Sequence, residues 1–187
     1  LFVSYDPLMT TYNVRVGRAD KPEGPFLDYA GHDLKDTTNN FPILTAPYAF
    51  EGHPGWAGTA HCGVWREENG RYYMFHQGRL SPENQLMVLH TREIFFNAEG
   101  WPVVSPERYA GTKSRRFTVK DMLGEWEIMR VIEPLHERQL EAGQVLWGEG
   151  QLVADEINRS SVYHFEKDKT LREGGRWSFY ADKQLLD

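Results

Sequence analysis

The stretch LFVSYDPLMTTYNVRVGR at residues 1–18 decides how the rest of this 187-residue chain is interpreted. Residues 1–5 are apolar and β-prone, and residues 11–17 alternate between two faces: Tyr12, Val14 and Val16 on one, Asn13 and Arg15 on the other. Such alternation is typical of strands, because successive side chains of a strand point to opposite sides. The stretch therefore predicts two strands joined by a short connection.

The same pattern recurs later in the chain, at an offset that grows from 73 to 80 residues. Residues 1–5 correspond to 74–78, 12–18 to 86–92, 23–25 to 99–102, and 29–31 to 109–111. A strand–strand–turn unit that appears twice, with a loop-rich stretch at 32–58 between the copies, predicts consecutive blades of a β-propeller. Two unrelated meanders that share turn chemistry are the alternative.

Further strands are predicted at residues 61–65, 71–76, 86–96 and 101–104, and Asn69-Gly70 is a strong hairpin signal between the first two. The pattern changes after Gly111, where a basic linker at 113–116 precedes strands predicted at 123–128, 144–153, 160–165 and 176–180. A short helix is predicted around 133–141. Three tryptophans at strand positions are expected to fill a small barrel or sandwich: Trp126, Trp147 and Trp177. We therefore predict an all-β chain with domains at 1–113 and 114–187, the second incomplete.

Composition narrows the class of partner. The chain has 6 Trp, 9 Tyr and 10 Phe, which suits β-structure or a protein that stacks flat ligands such as sugars. A net charge of -6 argues against nucleic acid and anionic membranes as partners. Because Cys62 is the one cysteine, an internal disulfide is excluded. No apolar run approaches the roughly 20 residues of a membrane helix. With no signal peptide and no initiator Met, the chain is expected to be a fragment or processed form, and its compartment stays open.

The 27 acidic residues offer no clear catalytic pair. Asp6 ends a predicted strand, where it either faces a cleft or makes a turn before the proline that follows. Glu23 and Glu99 precede glycines at matching repeat positions, which are typical of surface turns. Glu51 lies in a Gly- and Pro-rich loop and stays undetermined. No catalytic acid or base is therefore assigned.

The segment GTAHCGVW at residues 58–65 is more specific. His61 stands between small residues at the head of a predicted strand, so it is either a metal ligand or active-site donor, or a core histidine bonded to backbone. Cys62 is expected to be buried and inert. Zinc is not expected, because no second His or Cys stands at ligand spacing.

Two other positions stay open between function and packing. His76 begins the HQGR sequence that ends a predicted strand, so it lies either at a lip shared between blades or at a solvated strand end. Trp56 is either a sugar-stacking platform or a plug between blades.

These residues resemble a known family. Residues 1–18, GPFLD at 24–28 and Gly31 are similar to the fourth blade of arabinanases in glycoside hydrolase family 43. Residues 58–61 resemble the GPGH motif that begins the family's last blade, and GWPVVSP at 100–106 with YAG at 109–111 resembles its closing motif. The resemblance covers residues 1–111, and the remainder is more weakly similar to the family's accessory β-domain.

The resemblance implies the last two blades of a five-bladed β-propeller, followed by a small β-barrel-like domain. It also implies an inverting hydrolase of α-1,5-linked arabinan, whose two working carboxyl groups stand roughly 6.5–9.5 Å apart. The family's catalytic carboxylates lie in the first three blades, so all are expected upstream of this chain or on a partner chain. A non-catalytic carbohydrate-binding propeller, or another propeller glycosidase such as a xylosidase or arabinofuranosidase, stays open.

The resemblance also assigns His61 to an axial metal ion, usually calcium, whose other ligands are mostly waters. Thr59-Ala60 before the histidine and Cys62-Gly63 after it depart from the family motif, which leaves the surrounding contacts open. Thr11 and His76 are expected at the substrate cleft from their blade positions. An extracellular location is favoured by the resemblance.

Overall fold

The computed structural model describes residues 1–36, 40–81, 86–111, 115–132 and 157–186. Within these ranges the chain is all-β apart from one 3₁₀ turn, Val119–Met122. The strands up to residue 111 are β1 (Phe2–Tyr5), β2 (Asn13–Val16), β3 (Ile43–Thr45), β4 (Tyr48–Ala49), β5 (Trp56–Ala57), β6 (Gly63–Arg66), β7 (Tyr72–Leu80), β8 (Met87–Phe96) and β9 (Pro102–Val104). The later ones are β10 (Gly124–Ile128), β11 (Asn158–Arg159), β12 (Ser161–Phe165), β13 (Phe179–Tyr180) and β14 (Leu185–Leu186).

Two sheets meet over one apolar core in the first part of the chain. The smaller sheet is antiparallel, in the order β1-β2-β3, and the larger has the order β11-β4-β5-β7-β8-β9, with β6 also paired to β7. Both sheets contribute buried side chains to the core: Val14, Val16, Leu44, Ala60, Met74, Ile94, Trp101 and Val104. Burial of each larger apolar side chain stabilises the fold by about 1.5–3 kcal/mol. This core holds the two predicted repeats together.

The alternation predicted for β2 is confirmed as strand structure, yet both of its faces are buried. Asn13 and Arg15 are inaccessible to solvent, as is Val14 between them. Arg15 is accommodated because its Nε donates to the Asn13 side-chain oxygen at 3.0 Å and its guanidinium lies 3.6 Å from Asp6. A buried arginine is tolerated only with such partners.

The repeat alignment is wrong by one residue in its second strand. The sequence alignment matches Phe2 with Phe75. In the structure Phe2 pairs with Val16 and Phe75 pairs with Thr91, so the residue equivalent to Val16 is Thr91. The sequence alignment instead matches Val16 with His90. A slip of one residue exchanges the faces of a strand. Consequently Arg18, aligned with Arg92, is exposed, whereas Arg92 is 2% exposed.

Two strand predictions need correction. β7 continues through the HQGR sequence to Leu80, because β5 pairs with that end of it. The stretch predicted as loop-rich, 32–58, contains the short strands β3, β4 and β5. The helix predicted around 133–141 and the strand predicted at 144–153 lie outside the described residues. Among the residues described, no helix is long and apolar enough to cross a membrane.

The C-terminal part has a core of its own and also extends the larger sheet. β10 pairs antiparallel with β12, and Met122, Phe165 and Trp177 are buried beneath them. The predicted core role of Trp177 is thus confirmed, Trp126 packs partly buried against it, and Trp147 lies outside the described residues. β11 pairs in parallel with β4. The domain boundary near residue 114 stays a prediction.

Candidate functional site

The segment at 58–62 leaves the edge of β7 as a bulge. β5 pairs Ala57 with Arg79, and β6 pairs Gly63 with Phe75. The five residues 58–62 therefore lie opposite only three residues of β7, 76–78. The two extra residues must bulge out of the hydrogen-bonded ladder. Bulges of this kind turn a side chain away from the sheet.

Backbone conformation and hydrogen bonds fix this bulge. Gly58 and His61 both have φ near +57°. A Cβ on Gly58 would lie 2.6 Å from the carbonyl oxygen of Leu8, so only glycine fits there. The amide of Gly58 donates to the carbonyl of Thr10 at 2.8 Å, and the amide of His61 donates to the Ser4 hydroxyl at 3.1 Å. The segment is thereby anchored to the smaller sheet.

His61 is exposed and borders a cavity of about 360 Å³. Phe75, His76, Gln77 and Leu89 lie on the same cavity. Two of the three predicted site residues, His61 and His76, are thus brought together. Thr11 is fully buried, and its carbonyl accepts a hydrogen bond from the Asn13 side chain at 3.0 Å.

His76 belongs to a buried cluster with His90 and Arg92, and sequence reasoning missed the last two. His76 and His90 stand opposite each other on β7 and β8, with ring centroids 5.1 Å apart. Arg92 reaches both rings, with Nε 3.4 Å from His76 Nε2 and Nη2 2.7 Å from His90 Nδ1. It also donates to the Tyr48 hydroxyl and the Pro106 carbonyl. The sequence signal that could have indicated them is that both polar residues, 90 and 92, lie on the same face of β8.

The guanidinium fixes the proton positions on both rings. Because Arg92 only donates, His76 Nε2 and His90 Nδ1 must accept, so both imidazoles are neutral. His76 then donates from Nδ1 to the Gln77 carbonyl at 2.6 Å. Burial, with the charge of Arg92, lowers the pKa of His76 to about 4 and that of His90 to about 3. The cluster is therefore uncharged at neutral pH apart from the arginine.

Trp56 closes this cluster from outside. Its ring meets His90 edge-on at 4.5 Å, and Arg108 lies 5.5 Å from its centroid. On the other side of His90, a Cβ on Gly78 would lie 2.7 Å from Nε2. Nε2, which lies next to this glycine, is buried with no hydrogen-bond partner among the described residues. Trp56 therefore packs as a plug in this structure.

The four carboxylates considered from the sequence lie either in an ion pair or on the surface. Asp6 has φ +68°, accepts a hydrogen bond from Asn13 and pairs with Arg15. Glu51, Glu23 and Glu99 are exposed. No group of three or more His, Cys, Asp or Glu residues that could hold a metal ion occurs within the described ranges. Cys62 is half-buried, and burial raises the pKa of its thiol, as expected for an inert cysteine.

Comparison with known proteins gives the chain its relatives. Residues 106–187 match the family model of the C-terminal lipocalin-like domain of glycoside hydrolase family 43. The chain is 26% identical, over 94% of its length, to an extracellular endo-α-(1→5)-L-arabinanase 2 of Bacillus subtilis, covering 40% of that protein. It is 26% identical, over 57% of its length, to an extracellular exo-α-(1→5)-L-arabinofuranosidase of Cellvibrio japonicus, covering 28% of it.

The solved structure of an endo-1,5-α-L-arabinanase from Thermotoga petrophila shares the fold, with a TM-score of 0.76 at 20% identity. The match covers 96% of this chain and 40% of that one. The chain thus spans about 40% of the length of these endo-arabinanases. Residues 106–187 thus match a domain of glycoside hydrolase family 43, and nearly the whole chain is similar to endo-arabinanases.

Proposed function

We propose that this chain is the C-terminal part of an extracellular enzyme that hydrolyses α-1,5-linked arabinan with inversion. In this proposal the enzyme is a five-bladed β-propeller followed by the lipocalin-like domain. Similarity to the Bacillus subtilis endo-arabinanase along nearly the whole chain carries the proposal. The names of the relatives also support the extracellular location.

The catalytic carboxylates are proposed to lie upstream of this chain. Inverting hydrolysis needs a general acid and a general base on opposite sides of the scissile bond. Asp6 is already engaged by Asn13 and Arg15, so it is not a free carboxylate for this role. This chain would therefore complete the site rather than perform the proton transfers.

An exposed apolar face supports the presence of further blades. Trp65, Phe75, Leu89 and Met87 lie on one face of β6, β7 and β8, as their pairing shows. Their exposed fractions run from 37% for Phe75 to 71% for Leu89. Because isolated blades leave such faces and edges open, residues 1–187 alone are expected to aggregate, whereas the longer protein should melt cooperatively. A cooperative, monomeric melt of the short chain would contradict the propeller.

His61 is proposed to hold a calcium ion. It fits as one ligand, because the residue is exposed at the cavity. Since the described residues form no metal-binding cluster around it, the remaining ligands would be mostly water. Such an ion would supply a positive charge that lowers the pKa of nearby carboxylates. His61→Gln in the full-length protein should reduce the bound calcium measured by mass spectrometry, while Asn69→Gln, on an exposed turn, should not. Equal calcium in both variants would remove His61 from the site. Thr11 and His76 remain predicted contacts to substrate.

The activity is tested with full-length protein and linear α-1,5-arabinan. Endo cleavage releases a mixture of oligosaccharides first. Exo cleavage, the alternative that the Cellvibrio japonicus relative favours, releases single sugars from the start. NMR of the first-formed anomer distinguishes inversion from retention. Absence of any hydrolysis by the folded, calcium-loaded protein would favour the non-catalytic carbohydrate-binding alternative.

A further inference from the structure

A groove of about 990 Å³ lies where the end of β2 meets the turn between β8 and β9. The residues that line it include Arg18, Tyr29, Glu99 and Trp101, together with Asp20 and Lys21. We call it the Tyr29 groove. It is separated from His61 along the β7–β8 pair: the bulge carrying His61 adjoins Gln77 in the middle of β7, and the β8–β9 turn follows the strand ends near Tyr72. Five residues of strand separate these two places by about 16 Å.

The side chains of the groove are held in place by one another. The Arg18 guanidinium lies 3.8 Å from the centroid of the Trp101 ring, and its Nη1 donates to the Glu99 carbonyl at 2.9 Å. The ring of Tyr29 meets Trp101 edge-on at 5.6 Å. The Tyr29 hydroxyl donates to the Glu99 side chain, which raises the pKa of the phenol. Trp101 is buried, but Tyr29 is 55% exposed, so a fixed aromatic ring faces solvent.

The chemistry of the groove suits a neutral polyol. Two cations, Arg18 and Lys21, stand among the carboxylates of Asp20, Glu99 and the buried Asp28, so the local charge nearly cancels. An arginine has five N–H donors and a carboxylate accepts several hydrogen bonds, which matches a ring of hydroxyl groups. An exposed aromatic ring offers a flat apolar surface to the other side of a sugar. Ligand sites combine an apolar surface with a few fixed polar groups in this way.

We propose that the Tyr29 groove binds a segment of the arabinan polymer, with Tyr29 stacking on a sugar and Arg18 and Glu99 bonding its hydroxyls. The choice of arabinan rests on the proposed function, whereas the chemical class, a neutral polysaccharide, rests on the groove. The groove holds the long substrate and takes no part in bond cleavage.

The test uses the full-length protein in two separate measurements. Affinity electrophoresis in gels with soluble linear α-1,5-arabinan measures binding of the polymer, and hydrolysis of α-1,5-arabinotriose measures the activity. Tyr29→Ala is expected to weaken polymer binding by about 3- to 10-fold, with arabinotriose hydrolysis unchanged. Tyr180→Ala is the matched control, because Tyr180 is 44% exposed and does not line the groove. If Tyr29→Ala lowers the melting temperature, Tyr29→Leu replaces it in the binding test, because leucine keeps an apolar contact with Trp101 but lacks the flat ring.

The outcomes separate the groove from the hydrolase. If the Tyr29 variants bind arabinan as tightly as Tyr180→Ala does, the groove is overturned, whatever the hydrolysis shows. If wild type binds arabinan through Tyr29 but leaves both arabinotriose and linear arabinan intact, the groove stands and the proposed hydrolase fails. If wild type cleaves arabinotriose without retardation in the arabinan gel, the hydrolase stands and the groove is overturned.

Discussion

Histidines in two antiparallel strand pairs of this molecule have pKa values that are shifted in opposite directions. In the larger sheet, His76 faces His90 across β7 and β8, and in the C-terminal part, His164 faces Glu125 across β12 and β10. Burial beside Arg92 lowers the pKa values of the first pair. Hydrogen bonds to Glu173, at 2.5 Å, and Glu125, at 3.0 Å, raise the pKa of His164 despite some desolvation.

The difference teaches that cross-strand position alone does not set the charge of a histidine. His76 is 2% exposed and must share Arg92 with a second imidazole, so protonation would place like charges together away from water. The side chain of His164 is 25% exposed and lies between two carboxylates. The first pair is buried and neutral, whereas His164 forms an ion-pair network with two carboxylates when it is protonated.

Removal of Arg92 should have the largest effect. Arg92→Ala leaves a cavity and removes donors to Tyr48, Pro106 and both histidines, so the free energy of unfolding should fall by about 3–5 kcal/mol. Chemical denaturation of the full-length protein measures it. Arg172→Ala, at an exposed ion pair with Glu166, is the control and should cost under about 1 kcal/mol. An equal decrease in the free energy of unfolding in both variants would show that the buried cluster stabilises the fold no more than an exposed ion pair does.

Acid should destabilise the first pair. Because the folded-state pKa of His76, about 4, lies below the usual 6.5, the unfolded chain binds a proton first as pH falls. This contribution to stability is therefore complete above pH 6.5 and is lost progressively between 6.5 and 4, by an amount of order 3 kcal/mol. His76→Gln should flatten that part of the unfolding profile. An unchanged slope in the variant would mean that His76 is already protonated in the fold.

A single methyl group tests the packing around His90. Gly78→Ala places a Cβ 2.7 Å from His90 Nε2, so the free energy of unfolding should fall by about 1–3 kcal/mol. Gly63→Ala is a matched control in the neighbouring strand β6, because its Cβ would meet nothing within 4 Å. If Gly78→Ala melted no earlier than Gly63→Ala, the close contact between Gly78 and His90 would be refuted.

The smallest effect is expected at His164, with the opposite sign. A raised pKa gives stability that is fully present below pH 6.5 and is lost as pH rises through the folded-state value. The melting temperature of His164→Gln should therefore lie below wild type at pH 6 and approach it at pH 9. Differential scanning fluorimetry across this range measures the gap, and a gap that widened with pH would contradict the ion-pair network.

Much of the fold follows from local pattern. Alternation in β2, the Asn69-Gly70 turn and the apolar runs at β8 and β12 predicted strands that the structure contains. The short strands β3, β4 and β5 could not be predicted, because two or three residues carry no measurable period. The one-residue error in the repeat arose because register is fixed by packing of both faces, and both faces of β2 are buried.

The candidate site divides in the same way. His61 was found because small residues surround it in the sequence, and the structure presents it on a bulge. His90 and Arg92 were missed, since polar residues in a strand predict a solvated face unless their partners are known. The partners of Arg92 include Tyr48 and Pro106, which lie 44 and 14 residues away in the sequence.

The sequence by itself determined the β-class, the repeated strand–strand–turn pattern and the family resemblance, because these depend on the order of residue types along short stretches. Only the tertiary structure decided which polar residues are buried, where the ladder opens at 58–62, and which histidines are neutral. Burial and charge depend on groups that folding brings together from distant strands, so no local pattern contains them. The Tyr29 groove belongs to this second kind, since its Tyr29 and Trp101 come from different repeats.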